Sequence, residues 1–430
     1  MSWGKRLAPL IATQAFLWLT FALFVFGPWR WPLNDLPALY LFLCASHFAL
    51  CLGYLSAAHK ASNDGPGGDD PSQLVRASLW ITILILPLTS YARTGQWIPN
   101  VIGGLTNPGA AYMDAHVYSE RTTNFAAYLR ILAAPLLVVL FPLGVYSWSR
   151  LSWTMRCLLV ASMVAVVLMS LATGQRRDIA DLIVTIPFIV LAAHWAGVTR
   201  LSRRTIVVSS AAALLFLGAF SAYFAYSHIS RVGRQAADYG VNPVTMQMPD
   251  LDNPILKAFP NEFQPGVVGL LNYLTTGYYG LGLALDRPVK PMYGFGHSMF
   301  LTRNFERLTN DPAFESRSLP EQISAKDGFT YPIFWCSAYP YFANDLGFIG
   351  TVIMLFAVGR GLALTWIDTL GGRNPHAVVF FCLLMTLVFY LPATNRMLQD
   401  GEGVSAFYGW LAIWLGARWV RRRSPFLATP

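Results

Sequence analysis

Three pairs of arginines stand out in a chain of 430 residues of which only 12% are charged. Arg176 and Arg177 sit in "SLATGQRRDIADLI", between apolar runs at 157–172 and 179–197. Arg231 and Arg234, in "SHISRVGRQ", are three apart, and Arg303 and Arg307, in "FLTRNFERL", are four apart. A helix puts the members of each of these two pairs on one face. Leu301, Phe305 and Leu308 then line the opposite face at helical spacing. A guanidinium fork matches phosphate oxygens bidentately, which lysine does less well. Several such forks at the boundary between lipid and water suit a lipid-linked pyrophosphate, with the tail in the bilayer and the anionic head against the arginines. Adjacent residues on a helix point ~100° apart, so at most one of Arg176 and Arg177 faces a site. The competing expectation is that arginines at span ends reach to the interface and pair with acids such as Asp178, Asp238 or Glu306.

Chemistry at such a site needs a base. The outward candidates are His297 in "YGFGHSMF", His116, His228, and the carboxylates Asp114, Asp345 and Asp35. Histidine is the side chain whose ordinary pKa lies near operating pH. His297 gains weight from its flanking glycines, which let backbone approach a ligand closely, and it precedes Arg303 by six residues. Tyr273, Tyr278, Tyr279, Tyr339 and Tyr341 are aromatics able to stack on sugar rings, Tyr279 and Tyr341 foremost, or to anchor at the interface. "PDLDNP", with Asp250 and Asp252, mimics a metal-binding DxD but lies between prolines, where turn chemistry is expected. No Walker loop, nucleophile elbow or HExxH zinc site occurs, and the arginines do the neutralising that a cation would otherwise do, so neither metal nor cofactor is expected. Of five cysteines, Cys44, Cys51, Cys157 and Cys382 lie in apolar blocks and Cys336 in a loop, with no CxxC spacing.

These residues must be positioned by membrane helices. Hydrophobic residues make up 55% of the chain, mean hydropathy is +0.44, and the charged fraction is about half that of a soluble protein. Apolar blocks of roughly twenty residues match a ~30 Å hydrocarbon core. They fall near 8–28, 37–57, 76–92, 129–147, 157–173, 179–197, 205–226, 346–366, 377–393 and 404–420, giving about ten spans (10–12). The first follows Lys5 and Arg6 and is too long for a signal peptide. Lys and Arg in short connections put the N-terminus, 58–75, 148–156, 198–204, 367–376 and the "RRRSP" tail on the cytoplasmic side. The three arginine pairs then face outward, as does a loop of about 120 residues, 227–345. The apolar patch 266–285 is expected to lie at the outer interface or dip partway in, because it mixes glycines and tyrosines. The chain thus divides into 1–226, the long loop 227–345, and 346–430. The net charge of +9 comes mostly from cations flanking apolar blocks, which orient the chain and do not argue for nucleic acid.

The order of "LATGQRRDIADLIV", "SHISRVGR", "YLTTGYYGL", "YGFGHSMF" and "YPIFWCSAYPYFANDLGFIGTVIM", over residues 157–366, resembles the Wzy-type polysaccharide repeat-unit polymerases, relatives of the O-antigen ligases. The resemblance implies an all-α, GT-C-like glycosyltransferase of the bacterial inner membrane, with its site on the periplasmic side in a long loop. Its partners would be undecaprenyl-pyrophosphate-linked oligosaccharide and membrane lipid, with a chain-length regulator protein possible and no nucleic acid. It matches Arg176 or Arg177, and Arg231 or Arg234, to family arginines, and Asp345 in "NDLGFIG" to the acid–glycine step that re-enters the membrane. The ligases carry a histidine shortly before that step, where this chain has Trp335, Cys336 and Ser337. The base therefore stays open between His297 and Asp345. The expected reaction is metal-independent and inverting. Arginines stabilise the departing pyrophosphate, and an acceptor hydroxyl attacks the anomeric carbon from the opposite face. The alternatives are a ligase-like transferase and a transporter of lipid-linked oligosaccharide; the latter favours charges within spans.

Overall fold

A computed structural model describes residues 2–60, 71–121, 125–175, 177–232, 242, 244–261, 263–329, 334–372 and 374–423. The chain is all-α there: no strand occurs among the described residues. Helices run as α1 Trp3–Phe26, α2 Leu36–Ala58, α3 Ser72–Thr94, α4 Val101–Thr106, α5 Pro108–Arg121, α6 Phe125–Leu137, α7 Leu140–Tyr146, α8 Trp153–Ala172, α9 Arg177–Trp195 and α10 Arg203–Val232. They continue as α11 Pro254–Lys257, α12 Gln264–Leu285, α13 Met299–Thr309, α14 Leu319–Asp327, α15 Ala338–Leu370, α16 Pro375–Phe389 and α17 Gly401–Arg423. Eight stretches of the described residues are long and apolar enough to cross a membrane: α1, α2, α3, α6 with α7, α8, α9, α10 and α15. The chain is a multi-pass membrane protein.

The last two expected spans fall on helices of a different kind. α16 is apolar but has 15 residues, about 23 Å at 1.5 Å per residue, short of a ~30 Å core. α17 has the length but carries Glu402, Arg418, Arg421, Arg422 and Arg423. The patch 266–285 is not among the described helices long and apolar enough to cross a membrane. It is one continuous helix, α12, in which every residue from Thr275 to Gly282 is buried. From Thr275 to Gly282 its small and hydroxylated residues pack against protein, while Leu270 and Tyr273 nearer its start are exposed.

Two compact units form from non-contiguous stretches. The first comprises 1–60, 235–364 and 384–404; the second comprises 61–234, 365–383 and 405–430. In the first unit α12 packs on α1, α2 and α14. Thr20 and Tyr278 share a hydrogen bond of 3.0 Å, and Trp31 stacks between Phe24 and Tyr279 at 5.2 and 5.4 Å. Arg6 donates to the carbonyls of Ala58 and Lys60 at 2.9 and 3.1 Å, closing the end of α2. Arg360 donates to Ser56 at 2.9 Å, near the same end, whereas Phe348 meets Phe42 near the start of α2. α15 therefore runs parallel to α2. The Arg6, Lys60 and Arg360 end of this unit is opposite the end that carries Asp345.

The second unit is built on α3, which packs with α5, α6, α7 and α8. Ser78 of α3 donates to the Leu136 carbonyl at 2.7 Å, and Trp410 donates to the Pro135 carbonyl at 2.7 Å. Arg418 pairs with Asp368 at 2.5 Å, both almost wholly buried. A buried pair of this kind is held by its mutual neutralisation, and removing either member strands the other charge.

α2 and α15 touch backbone to backbone. A Cβ on Gly359 would lie 2.0 Å from the Leu50 carbonyl oxygen, and one on Gly53 would lie 1.9 Å from that of Phe356. Larger side chains there must separate the helices. Gly359→Val is expected to destabilise the protein by about 1–3 kcal/mol, read as a lower thermal midpoint in detergent, while Gly416→Ala, which meets nothing within 4 Å, leaves it unchanged.

Candidate functional site

The connection between α12 and α13 makes a tight turn. Tyr293 and Gly294 both adopt positive φ, 53° and 85°, and two such residues in succession turn consecutive backbone N–H groups toward one point. That point is Asp345. Its Oδ1 accepts from the amides of Gly294 and Gly296, each at 3.0 Å. Its Oδ2 accepts from the His297 amide at 2.8 Å and lies 2.9 Å from His297 Nδ1. A Cβ on Gly296 would lie 2.6 Å from Asn344 Cβ, so the close approach of loop to helix requires glycine there.

The helix delivers Asp345 by a break. Gly347, inside α15, has φ 67° and ψ 170°, a region open essentially to glycine and costing other residues about 1–3 kcal/mol. The segment 338–346 thereby leaves the axis of the long apolar helix and presents Asn344 and Asp345 to the loop. Asn344, buried, donates to the Gly296 carbonyl at 2.9 Å and accepts from the Leu319 amide at 2.8 Å. From the other side Asn395 donates to the His297 carbonyl at 2.5 Å, and the Phe300 amide donates to the Gln399 carbonyl at 3.1 Å. Ser298 caps α13, accepting from the Leu301 amide at 3.4 Å.

The side chains of His297 and Asp345 are 14% and 8% exposed. When the imidazole is neutral, pairing Nδ1 with a carboxylate places the proton on Nδ1 and leaves the lone pair on Nε2. Asp345 meanwhile spends its acceptor positions on the loop. The arrangement is an imidazole oriented by a carboxylate, the geometry of an orienter and a general base. Burial pushes the Cys336 thiol up to about 12, which disfavours the thiolate. Among the described residues no group of three or more metal-ligating side chains occurs. Asp250 does what the prolines around it implied, its Oδ1 accepting from the Asp252 amide at 3.0 Å in a turn that leads into α11.

Beside His297 a small cleft is lined by Gly296, Thr302, Glu315, Ser318, Tyr341 and Asn344. Arg303 lies near it, 41% exposed, with its Nε 3.1 Å from Glu315. Glu321, on α14, has its carboxyl pushed up by burial and by the nearby Glu315, against the opposing pull of Arg303. The expected face of α13 is only partly right. Phe305 packs between Phe295 and Phe314, with centroids 4.4 Å away on each side, but Leu308 is exposed. Tyr341 joins the cleft lining although it is itself buried, and Tyr279 is buried with its ring stacked on Trp31. Sugar stacking on Tyr279 would require Trp31 to move aside.

The arginine pairs fare differently from the histidine. Arg177 lies in the second unit with its Nε 3.9 Å from Asp178, whose tighter partner is Arg93 at 2.5 Å. Arg176 and Arg234 lie outside the described residues, and of Arg231 only its place in α10 is described. Arg303 belongs to the first unit and Arg177 to the second, so the expected pairs do not gather within one unit. Arg177 and Arg303 each stand near a carboxylate, Asp178 and Glu315. His116 stacks on Tyr112 in α5, in the second unit, at 5.9 Å.

One residue without a sequence signal completes the loop's anchorage: Asn395, in "PATNRMLQD", the connection between the last two expected spans.

Comparison with protein-family models, with curated proteins and with solved structures finds no match. Fold and site together define a multi-pass, all-α membrane protein with a carboxylate-oriented imidazole at the end of a broken helix. Removing the Asp345 carboxylate leaves the Gly294, Gly296 and His297 amides without their shared acceptor. Asp345→Ala is expected to speed hydrogen exchange selectively at residues 294–297, at a cost of about 1–3 kcal/mol; unchanged protection there would show that the loop is held by other means.

Proposed function

We propose that this chain is a glycosyltransferase that joins lipid-pyrophosphate-linked oligosaccharide repeat units into a polysaccharide. The observation that supports it is the His297–Asp345 pair. A hydroxyl attacking an anomeric carbon must lose a proton, and an imidazole whose Nδ1 is committed to a carboxylate accepts one at Nε2. In the proposed step the acceptor sugar's hydroxyl oxygen bonds to the anomeric carbon of the donor glycan. The bond from that carbon to the pyrophosphate oxygen breaks, its electron pair leaves with the pyrophosphate lipid, and the hydroxyl proton passes to His297. Attack from the face opposite the leaving group inverts the anomeric centre. Asp345 holds the ring and stabilises the imidazolium, replacing its expected role as a base in its own right. Guanidiniums stabilise the charge gathering on the leaving group, without a metal.

The end of the first unit that carries Arg6, Lys60 and Arg360 is the cytoplasmic one on the positive-inside rule. The His297 end then faces the periplasm of a bacterial inner membrane, where undecaprenyl-pyrophosphate-linked substrates are presented. On this reading α16 and α17 cross the membrane as a ninth and tenth span. A chain-length regulator is a natural partner. A ligase-like transfer would use the same His297 chemistry with a different acceptor.

One observation favours transport of the lipid-linked sugar instead: the Asp368–Arg418 pair is buried between apolar helices, the kind of charge placement that transporters use. The two readings separate in proteoliposomes loaded with lipid-linked repeat units. His297→Gln and Asp345→Asn are expected to lower the polymerisation rate about 10²–10⁴-fold, with normal insertion and with His116→Gln as an active control. Full-length glycan from His297→Gln at the unaltered rate would refute the assignment of the base.

A further inference from the structure

The end of the first unit opposite His297 carries cations without acids. The stretches 1–34, 36–60 and 346–364 contain no Asp or Glu, while Lys5, Arg6, Lys60 and Arg360 belong to this end. Asp64, Asp69 and Asp70, the next acids along the chain, lie outside the described residues. Two of the cations are built onto the end of α2. The Arg6 carbonyl accepts from the Tyr54 hydroxyl at 2.6 Å, and Arg6 Nη1 donates to the Ala58 and Lys60 carbonyls. Arg360 Nη1 donates to the Ser56 hydroxyl, which itself donates to the Gly53 carbonyl at 2.6 Å. Each of these acceptors is neutral. Among the described residues neither guanidinium has a carboxylate within ion-pair distance, and the Nε and Nη2 donors of both remain available. Both side chains are half-buried, and a guanidinium drawn out of water favours an anion beside it.

Apolar surface runs between the two anchor points. Leu41, Phe48, Leu52 and Leu55 of α2 are exposed, and at ~100° per residue they share one face about 60° wide. On the same helical wheel Ser56 and Ala58, which hold Arg360 and Arg6, fall on either side of that face. We propose that this end of α2 binds an anionic phospholipid, with its headgroup phosphate met by Arg6 and Arg360 and an acyl chain lying along Leu55, Leu52 and Phe48. A zwitterionic lipid brings a cation of its own to the phosphate, whereas an anionic one leaves that charge to the guanidiniums. The apolar stripe gives a lipid what it cannot give a free phosphate. The inference is independent of glycosyl transfer and requires only that this end of the unit reaches a headgroup layer.

The test follows lipid binding to the intact full chain by native mass spectrometry from detergent. Wild type is expected to bind phosphatidylglycerol about tenfold more tightly than phosphatidylcholine with the same acyl chains. Arg6→Gln combined with Arg360→Gln is expected to abolish that preference, and Arg150→Gln, which removes an exposed cation of the second unit, to leave it intact. Arg360→Gln alone keeps the Arg6 contacts with the α2 carbonyls; it is expected to weaken phosphatidylglycerol about threefold or more, which keeps the test open if the double variant does not fold. A preference that survives the arginine replacements overturns the proposal. So does an equal loss in Arg150→Gln, which would mark attraction by the whole basic face. Displacement of the bound lipid by millimolar inorganic phosphate also overturns it, because the site would then be one for a free anion.

Discussion

The site depends on one saturated carboxylate. Asp345 has about four acceptor positions, and three backbone amides and an imidazole nitrogen occupy them. A carboxylate used in this way cannot accept a substrate proton without releasing part of the loop that surrounds it. It acts instead as the fixed point from which His297 is aimed. Each neighbouring feature follows from that demand. Gly347 breaks α15 so that the carboxylate can leave the helix axis, and Tyr293 with Gly294 supplies the left-handed turn that gathers the amides. Asn344 and Asn395 then lock the loop's carbonyls from two directions.

The frame behind the site is unusually closed for a segment of low hydropathy. α12 is buried on all sides between Thr275 and Gly282, and the tyrosines that look like exposed stacking platforms are in part structural: Tyr278 bonds to Thr20 and Tyr279 stacks on Trp31. Rigid packing of this sort is what a site needs when its reacting nitrogen has to be held to a fraction of an ångström. The glycines of α2 and α15 serve the same end by letting those helices touch backbone to backbone, so that Asp345 is carried on an element that cannot roll freely.

Much of this was legible in the sequence, and the reasons for the gaps are physical. The apolar blocks located most of the membrane helices because burial in lipid demands length and hydropathy, which are local properties. Burial in protein tolerates Gly, Thr and Tyr, so nothing local in α12 distinguishes a helix packed on protein from an interfacial one. His297 was singled out by its glycines, and Asp345 by the acid–glycine step, but as rival bases. Their pairing spans 48 residues and depends on a positive φ at Gly347 that no periodicity reveals. The arginines carry two readings at once: Arg303 and Arg177 each stand near a carboxylate, and the sequence offers the attractive ligand and the mundane partner with equal force. Leu308 lies one residue outside the face that Phe305 buries, a boundary that helical spacing alone leaves open.

A fixed base has a consequence for processive chemistry under the proposed transfer reading. If His297 cannot move, every new acceptor hydroxyl must be brought to the same place, and the growing glycan has to move away after each addition. The driving force for that movement then lies in the substrates: the spent pyrophosphate lipid leaves the arginine that held it, and the lengthened chain, still carried on its own lipid, takes the vacated place. The carboxylate-anchored loop meanwhile keeps the base where the next hydroxyl arrives, because Asp345 holds the His297 amide and ring together with the amides of Gly294 and Gly296.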